Sequence, residues 1–232
     1  STPLYSSAAS DVYKRQPYEK RAMKWMEKWK TELLDGAATI IFHGERVNTS
    51  SFKSVSNSGV ITSVGRIFTD GAEKLSKIAN ASTAWKTTYA KKTVEKVCYA
   101  LSRSDIEAFG GQESAVINLL KDKNGNWIFD EKLDYIGTYD VNVPMTVLVK
   151  VIDDKIAELR NKTVVDIGSE FKFLTQPPYG YYNNYICMAA VALVFRRYIG
   201  KMYLADQGSL VSTTIMRDIV NAAFYNLSLI HI

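Results

Sequence analysis

The sequence contains few of the side chains that build metal sites, disulfide frameworks and catalytic triads. Its 232 residues include two cysteines and two histidines, and of the histidines only His43 lies outside the last six residues. One histidine and two separated cysteines cannot supply the three or four ligands that zinc requires. A nucleophilic triad needs a base beside a serine or cysteine, whereas His43 ends an apolar strand and is expected to be structural. Cys98 and Cys187 lie in apolar helical patterns, which predicts buried thiols in a reducing compartment rather than a disulfide.

Phosphate-binding loops and membrane-spanning segments are also missing. Neither G-x-x-x-x-G-K-[ST] nor G-x-G-x-x-G occurs, which excludes a phosphate cradle within this sequence. Asp153 and Asp154 are adjacent on a predicted helix and point in different directions, so they make a poor acid–base pair. The longest apolar run, Ile186–Phe195, is too short to cross a bilayer, and no targeting segment is visible. We therefore expect a cytoplasmic protein without cofactor, metal or membrane partner that is not catalytic as it stands.

The two ends of the sequence differ from the rest. Residues 1–16, STPLYSSAASDVYKRQ, and residues 227–232, LSLIHI, resemble translated sequencing adapters from metagenomic assemblies. Such segments take no part in folding, so we expect residues 1–16 to be disordered and both ends to be dispensable. The natural part is then residues 17–226. Because it is open at both ends, we expect it to be a fragment whose neighbouring domains lie outside it.

The strongest feature of the sequence is an apolar centre. Apolar residues make up 47% of the chain and aromatic residues 12%, as in a globular protein. Pro177-Pro178 enforces an extended approach, Gly180 permits a tight turn, and Asn183 or Asn184 can cap a helix. The helix that follows, Tyr185–Phe195, is apolar on every side, which is typical of a buried helix. We expect the surrounding elements to pack on it.

Hydrophobic periodicity predicts a mainly α chain with a minor β content, folded as an irregular helical domain with two or three short strands. A first amphipathic helix spans Tyr18 to Leu33, with a stripe of lysines on one face. The other predicted helices are Ile67–Ile78, a helix capped by Ser82 or Thr83 that ends at Leu101, Ser104–Phe109, Gln112–Leu120, Pro144–Arg160, and a helix capped by Thr213 or Thr214 that ends at Phe224. The strands are Ala37–His43 and short pieces near Val60–Ile61 and Leu210–Val211, and Arg46–Asn57 is predicted to be a loop or an irregular hairpin.

A turn is predicted at Asn124-Gly125, because both residues tolerate positive φ and the pair is typical of a β-hairpin. The surrounding stretch, Asp122–Asp130, also has the alternating oxygen ligands of a calcium loop. The calcium hypothesis fails in detail, since Trp127 occupies the position that requires glycine and Leu133 the position that requires glutamate. The hairpin is the better interpretation.

We expect residues 17–165 to form a helical domain with short strands and this hairpin, and residues 166–226 to form a separate lobe, with a seam near Asn161–Gly168. The order of the lobe, a buried helix, a linker with a brief strand and a polar-faced helix, resembles part of a winged helix. The aromatic and basic residues expected near one end of the lobe are Tyr181, Tyr182, Arg196, Arg197, Tyr198 and Lys201. Together with Arg217, all of these except Tyr198 are our candidate contacts for nucleic acid or a protein partner. The alternative is ordinary packing with a solvated end.

A resemblance to a known family rests on the order of several short motifs. They are Trp85 on its helix, Leu119-Leu120 before the Asn124-Gly125 turn, Gln176–Gly180 (QPPYG) before the apolar helix, and Met216–Asp218 (MRD) opening the last helix. This order resembles the carboxy-terminal part of very large bacterial P-loop ATPases of BREX-type phage-defence systems, over most of Thr83 to Phe224. The resemblance implies a region downstream of the ATPase core that acts as a scaffold or associates with DNA, which agrees with the missing Walker motif.

Three functional hypotheses follow. The first is a non-catalytic segment of a large bacterial defence ATPase that contacts double-stranded DNA, with the remaining domains of the longer chain as its other partners. The second is a protein-interaction scaffold without a nucleic-acid role. The third is part of an enzyme whose site is completed by missing domains. Salt-dependent binding to duplex DNA distinguishes the first from the second, and a deep pocket with convergent polar groups favours the third.

Overall fold

The computed structural model describes residues 5–35, 38–42, 45–49, 65–71, 74–75, 78 and 89–225. It is mainly helical, with 58% helix and 7% strand, as the sequence predicts. The α-helices among the described residues are α1 (Tyr5–Asp35), α2 (Ala90–Tyr99), α3 (Arg103–Glu107), α4 (Pro144–Leu159), α5 (Ile167–Glu170), α6 (Tyr185–Phe195) and α7 (Thr213–Tyr225). The 3₁₀ helices are Gly111–Leu120, Lys172–Thr175 and Arg196–Tyr198, and the strands are β1 (Ala38–Phe42) and β2 (Glu45–Thr49).

The chain forms two compact units, Ser1–Arg66 and Ile67–Ile232. The predicted seam near Asn161–Gly168 is therefore not where the structure divides. The physical reason is that α6 is apolar all round and needs partners on every side. It packs against α2, α4 and the 3₁₀ helix Gly111–Leu120 as well as against α7. Residues on both sides of the predicted seam thus share one hydrophobic core.

The first unit contains α1 and a β-hairpin. The helix begins at Tyr5, so the structure differs from the expected disorder of residues 1–16, whose origin stays a prediction. No proline or glycine lies between Tyr5 and Gln16, and nothing in the sequence interrupts helical hydrogen bonding there. Pro17 lies inside the helix and lacks an amide hydrogen. Every side chain from Gln16 to Glu32 is exposed.

The hairpin pairs β1 with β2 in antiparallel register, from Ala38 opposite Thr49 to Phe42 opposite Glu45. The predicted first strand is confirmed, whereas the prediction of a loop or an irregular hairpin is wrong for residues 46–49, which belong to the regular strand β2. Two residues connect Phe42 to Glu45, the length of the tightest hairpin turns, and the second is Gly44. The predicted strand near Val60–Ile61 and the helix cap at Ser82 or Thr83 lie outside the described residues.

The second unit is built around α6. Each of its residues from Tyr185 to Phe195 is 1% exposed or less, which confirms the prediction of a buried helix. The Asn184 side chain accepts a hydrogen bond from the Cys187 amide at 2.8 Å and caps the helix, as predicted. Burying each large apolar side chain stabilises the fold by about 1.5–3 kcal/mol before conformational entropy is counted.

The turn before α6 packs against an interruption in a predicted helix. Residues 68–71 are not helical, although one helix is predicted over Ile67–Ile78. A Cβ atom at Gly71 would lie 2.1 Å from the Tyr179 carbonyl oxygen, so only glycine allows this close approach. Gly180 has a φ of +64° and lies directly against the Phe68 ring. Contact with the Pro-Pro-Tyr-Gly turn therefore interrupts the predicted helix at residues 68–71.

The predicted positions of the other helices are confirmed with small changes, except that α2 begins at Ala90 with Tyr89 as its N-cap, and not after the predicted cap at Ser82 or Thr83. Pro144 is the first residue of α4, and the 3₁₀ helix Gly111–Leu120 takes the place of a predicted short α-helix. Leu101, the predicted end of its helix, lies beyond the end of α2 at Tyr99 and is 82% exposed. The cap of α7 is Ser212, whose Oγ accepts from the Ile215 amide at 3.3 Å, rather than the next two threonines.

The Asn124-Gly125 turn is present, but only one antiparallel residue pair, Lys121 with Trp127, flanks it. Asp122 stabilises the turn because its carboxylate accepts hydrogen bonds from the amides of Asn124 and Asn126, both at 2.8 Å. Hydrogen bonds from Asn126 lower the pKa of Asp122. No group of three or more His, Cys, Asp or Glu side chains in the described part of the chain could hold a metal ion.

Candidate nucleic-acid interface

The structure does not gather the predicted contact residues near one end of a lobe. Tyr181 and Tyr182 precede α6, whereas Arg196 and Arg197 follow it. A helix of eleven residues is about 16 Å long, so the two tyrosines and the two arginines lie at opposite ends of α6. The prediction that they group together is wrong for this reason, although the contact role of each residue stays a prediction.

Tyr181 belongs to the core rather than to a surface. Its side chain is 1% exposed, and its hydroxyl has no hydrogen-bond partner among the described residues. Burial raises the pKa of Tyr181 well above its usual value. Tyr182 is half-buried, and burial raises its pKa to about 12. A buried phenol ring cannot stack on a nucleobase without local unfolding, so Tyr181 is not accessible for such contact.

Arg196 holds the end of α2 in place. Its Nη2 donates a hydrogen bond to the Ala100 carbonyl at 2.5 Å. Burial lowers the pKa of the Arg196 guanidinium, because desolvation disfavours its charged form. The guanidinium is thus directed into the protein rather than toward solvent.

Arg197 and Tyr198 both bind one carboxylate. Arg197 donates to the two oxygens of Asp153 at 3.3 and 3.0 Å, and the Tyr198 hydroxyl donates to Oδ1 at 2.6 Å. Burial, and then the bond to Asp153, raises the pKa of Tyr198. Asp153 lies on α4, so these bonds attach the 3₁₀ helix after α6 to α4. The charge of Arg197 is therefore neutralised within the protein.

Arg217 lies on α7, where its guanidinium pairs with the neighbouring Asp218 at 2.9 Å. That hydrogen bond raises the pKa of Arg217. Lys201, the last of the six candidates, is exposed and has no carboxylate partner among the described residues. Of the predicted set, Lys201 therefore has the most available charge.

Lys201 lies on the rim of a cleft of about 370 Å³, which we call the basic cleft. Its base consists of the apolar side chains Ile156, Leu159, Val165, Ile167 and Met202. Its remaining lining residues are Arg160, Lys162, Thr163, Tyr198, Lys201 and Tyr203. None of these lining residues is an acid, a histidine or a cysteine. The cleft thus combines an apolar base, phenol rings and positive charge.

A short hairpin positions one side of the basic cleft. The Gly200 amide donates to the Val211 carbonyl at 2.9 Å, and the Val211 amide donates to the Met202 carbonyl at 2.8 Å. Tyr203 pairs with Leu210 in an antiparallel bridge, which agrees with the predicted short strand at Leu210–Val211. These backbone bonds hold Lys201 and Tyr203 at the rim, where Tyr203 is 60% exposed.

The positive charge of the rim is only partly neutralised. Lys162 pairs with Glu170 at 2.5 Å, and Lys155 also binds Glu170 at 3.0 Å. Hydrogen bonds from Lys162 and then Lys155 lower the pKa of Glu170. Arg160 and Lys201 are exposed and form no salt bridge within the described residues. Two cations are therefore available to an anionic ligand.

A second cleft, of about 610 Å³, is lined by Lys74, Lys121 and Lys123 among other residues. Its cations are engaged within the protein. Lys74 pairs with Asp70 at 3.5 Å, and Lys123 pairs with Asp140 at 3.2 Å. Lys121 lies 4.4 Å from the centre of the Trp127 ring. The basic cleft is thus the better candidate for binding an anion.

Sequence reasoning missed Arg160, Lys162 and Tyr203. The sequence shows one basic residue at the end of a predicted helix and another two positions later, followed about forty residues on by Lys-Met-Tyr. Neither segment is distinctive alone, because cations near a helix C-terminus also interact favourably with the helix dipole. Only the packing of the 3₁₀ helix and hairpin beside α4 brings the two segments together.

The basic cleft can bind but offers little for catalysis. Without a carboxylate, imidazole or thiol among its lining residues, it has no ordinary general base or activated nucleophile. Comparison with protein families, with curated proteins and with solved structures gives no match. None of the described helices is long and apolar enough to cross a membrane.

Proposed function

We propose that this chain is a non-catalytic segment of a larger protein and that it contacts DNA through the basic cleft. The observation that supports the proposal is the pair of exposed cations, Arg160 and Lys201, on the rim of a cleft that contains no acid. Phosphate contacts by lysine and arginine supply most of the sequence-independent affinity for DNA. The formal net charge of +5 is mild: it permits such contact but does not argue for it.

The larger protein, we propose further, is a cytoplasmic bacterial defence ATPase of the BREX type, with its remaining domains as partners. The support is the order of the motifs, with QPPYG before the buried α6 and MRD in the first turns of α7. A winged-helix-like arrangement of residues 166–226 is part of this proposal. The order of the buried helix α6, a linker with the short Tyr203–Leu210 bridge and α7 supports it.

Binding to a labelled duplex of about 20 base pairs tests the DNA contact, with fluorescence anisotropy measured between about 50 and 200 mM salt. We expect the logarithm of the association constant to fall linearly with the logarithm of salt concentration. In the double variant Arg160→Ala/Lys201→Ala, the slope should decrease in magnitude by about 2, because about one counterion is released per phosphate contact.

The matched control is Lys132→Ala, which removes an exposed lysine that does not line the cleft. It should leave the slope within about one unit of the parent. Absence of binding at low salt, or binding that does not depend on salt, would contradict the proposal. An equal loss of slope in Lys132→Ala would show general charge attraction rather than contact at the basic cleft.

The scaffold hypothesis is the second candidate, and one observation favours it. Tyr18, Met23, Trp25, Met26 and Trp29 on α1 are 60–72% exposed, and exposed aromatic residues are typical of protein-interaction surfaces. If α1 binds the remaining domains, mixing with them should shift tryptophan emission to shorter wavelength. The variant Trp25→Phe/Trp29→Phe should abolish that shift. A shift that persists in this variant would argue against docking through α1.

A further inference from the structure

The shape of the basic cleft suggests more than contact with a phosphate backbone. Phosphates on the outside of a duplex need only cations on a convex or flat surface. The basic cleft instead is a concave site with an apolar base, where Ile156, Leu159 and Ile167 are 9%, 6% and 4% exposed. A volume of about 370 Å³ lies within the range of small-ligand sites, about 300–1,000 Å³. An apolar group of a ligand is therefore expected in the cleft.

We propose that the basic cleft takes one unpaired nucleobase of a DNA strand, while Arg160 and Lys201 bind the phosphates beside it. This inference rests on the proposed DNA contact and specifies its ligand. A base in an intact duplex is stacked and paired, and it enters a pocket only after leaving the stack. The protein should therefore prefer DNA with unpaired bases to a blunt duplex.

Tyr203 provides the ring on which the nucleobase stacks. Its ring lines the cleft and is 60% exposed, and the hairpin hydrogen bonds fix the backbone beside it. Aromatic rings bind every base because each base has a π-face. Tyr198 lines the opposite segment, but its hydroxyl is held by Asp153 at 2.6 Å. Tyr203 is thus the ring most available to a ligand.

The charge distribution fits an anionic ligand that also has an apolar part, such as a nucleotide, better than a cationic or neutral ligand. Arg160, Lys162 and Lys201 line the cleft, and no carboxylate does. Two acids bound to residues that line the cleft are engaged within the protein: Glu170 by Lys155 and Lys162, and Asp153 by Arg197 and Tyr198. A phosphate therefore meets net positive charge at the rim. The nucleobase leaves water and contacts the apolar side chains at the base of the cleft. The same chemistry would recognise a free nucleotide, and the experiment separates the two sources.

Hydrogen bonds fix two sides of the cleft, so ligand binding requires little ordering. Asp153 fixes one side through Arg197 and Tyr198. The bond from the Val211 amide to the Met202 carbonyl, 2.8 Å long, fixes the other. Preformed sites lose less conformational entropy when a ligand binds. Base binding should for this reason be measurable with a short oligonucleotide.

The experiment measures competition against a labelled oligothymidine of about 12 nucleotides. The competitors are the same oligomer unlabelled, an oligomer of equal length with abasic sites throughout, a blunt duplex and thymidine monophosphate. We expect the intact oligomer to compete about tenfold better than the abasic one, which is within the effect of one stacked base. Thymidine monophosphate should compete far more weakly, because it lacks the flanking phosphate contacts.

Tyr203→Ala should remove the tenfold preference for intact over abasic DNA and leave binding to the blunt duplex unchanged. Tyr203→Phe keeps the ring and should retain the preference. Tyr139→Ala is the matched control, since Tyr139 is 57% exposed and does not line the cleft. Far-ultraviolet circular dichroism confirms that each variant is folded before binding is compared.

Equal competition by intact and abasic oligomers would overturn the base-binding inference and leave the DNA contact intact. Absence of salt-dependent binding to any DNA would overturn both proposals. If thymidine monophosphate competes as strongly as the oligomer, the ligand of the cleft is a free nucleotide and not a DNA strand. If Tyr203→Ala folds normally and still prefers intact to abasic DNA, the assignment of base binding to this cleft would be overturned.

Discussion

Helix α6 and the described part of α1 both carry large apolar side chains, yet their environments are opposite. In α6, every residue from Tyr185 to Phe195 is 1% exposed or less. In α1, every side chain from Gln16 to Glu32 is exposed, and Trp25 and Trp29 are 60% and 65% exposed. The helices differ in what accompanies the apolar residues: α6 has no charged residue, whereas charged residues alternate with aromatic ones in α1.

The comparison shows that apolar composition alone predicts burial of a helix when the helix has no polar face. When a polar face is present, composition does not predict whether the apolar face is buried. A helix without a polar face must be enclosed, because any exposed side leaves apolar surface in water. A helix with a lysine face can remain in water and cover part of its apolar surface with the lysine stems. Periodicity therefore predicts that α1 is amphipathic, but it does not predict what its apolar face contacts.

The largest expected effect comes from placing a charge in each helix. Ala190→Asp puts an unpaired carboxylate at a position that is 0% exposed, which costs several kcal/mol or forces protonation. Because a domain is stable by only about 5–15 kcal/mol, we expect the variant to unfold or aggregate. Ala22→Asp in α1, at an exposed position, should change stability by less than about 0.5 kcal/mol.

Thermal unfolding followed by circular dichroism measures both variants. If Ala190→Asp expressed and melted like the parent, α6 would be accessible to water and the contrast between the helices would disappear. If Ala22→Asp unfolded the protein, the apolar face of α1 would be part of a core.

The second expected effect is a loss of stability in alkali that involves α6. Burial raises the pKa of Cys187 from 9.0 to about 12. The thiol of the unfolded chain loses its proton near pH 9, whereas the thiol of the folded chain does not. The contribution of this thiol to stability is therefore fully present below pH 9 and is lost as pH rises toward 12. The loss approaches about 1.4 kcal/mol per pH unit for one thiol. The described part of α1 contains no cysteine and contributes no such loss.

Melting temperatures between about pH 8 and pH 10 check this effect, with Cys187→Ala as the comparison. The variant is less stable at every pH because it loses packing, so the slope is the informative quantity. We expect a shallower fall with pH in Cys187→Ala than in the parent. Parallel slopes would show that the thiol is ionised equally in both states.

A third, smaller effect concerns one hydrogen bond at each helix. Asn184→Ala removes the cap of α6, whose side-chain oxygen accepts from the Cys187 amide at 2.8 Å, and should cost about 1–2 kcal/mol. Thr31→Ala removes a bond of 2.9 Å from the threonine hydroxyl to the Glu27 carbonyl in α1. Alanine is the better helix former, so stability should stay equal or rise slightly. Urea denaturation measures both, and an equal loss in the two variants would refute the contrast.

The smallest effect is expected at the α1 surface. Lys28 and Glu32 form an i,i+4 pair at 3.7 Å, with side chains 59% and 65% exposed. Such exposed pairs contribute little, and Glu32→Ala should change stability by less than about 0.5 kcal/mol. The melting temperature at low and high salt checks this. A clear salt-dependent loss would show that the α1 surface is less hydrated than its exposure indicates.

Much of the second unit could be predicted from the sequence because the residues that determine each feature lie close together along the chain. The apolar run of α6, the Asn184 cap and the start of α4 at Pro144 each depend on neighbouring residues. The interruption at residues 68–71 could not be predicted in this way. It depends on contact between Gly71 and Tyr179, which are more than one hundred positions apart in the sequence.

The candidate site was less predictable for the same reason. The sequence identifies Arg196 and Arg197 as cations but not their partners, and Asp153 is 44 positions from Arg197. Of the six predicted residues, Lys201 alone lines the basic cleft. Charge type can be read from the sequence, whereas the availability of a charge depends on tertiary contacts.

The packing of α6 also has a consequence for the order in which the chain is synthesised. Its partners α2, the 3₁₀ helix Gly111–Leu120 and α4 all precede it in the sequence, and α7 follows. When α6 leaves the ribosome, most of the surface that covers it already exists. At about 5–20 residues per second, the residues through the end of α7 are added within seconds. A chain that stopped before Thr213 would leave one side of an uncharged helix bare, and association with other chains would compete with folding.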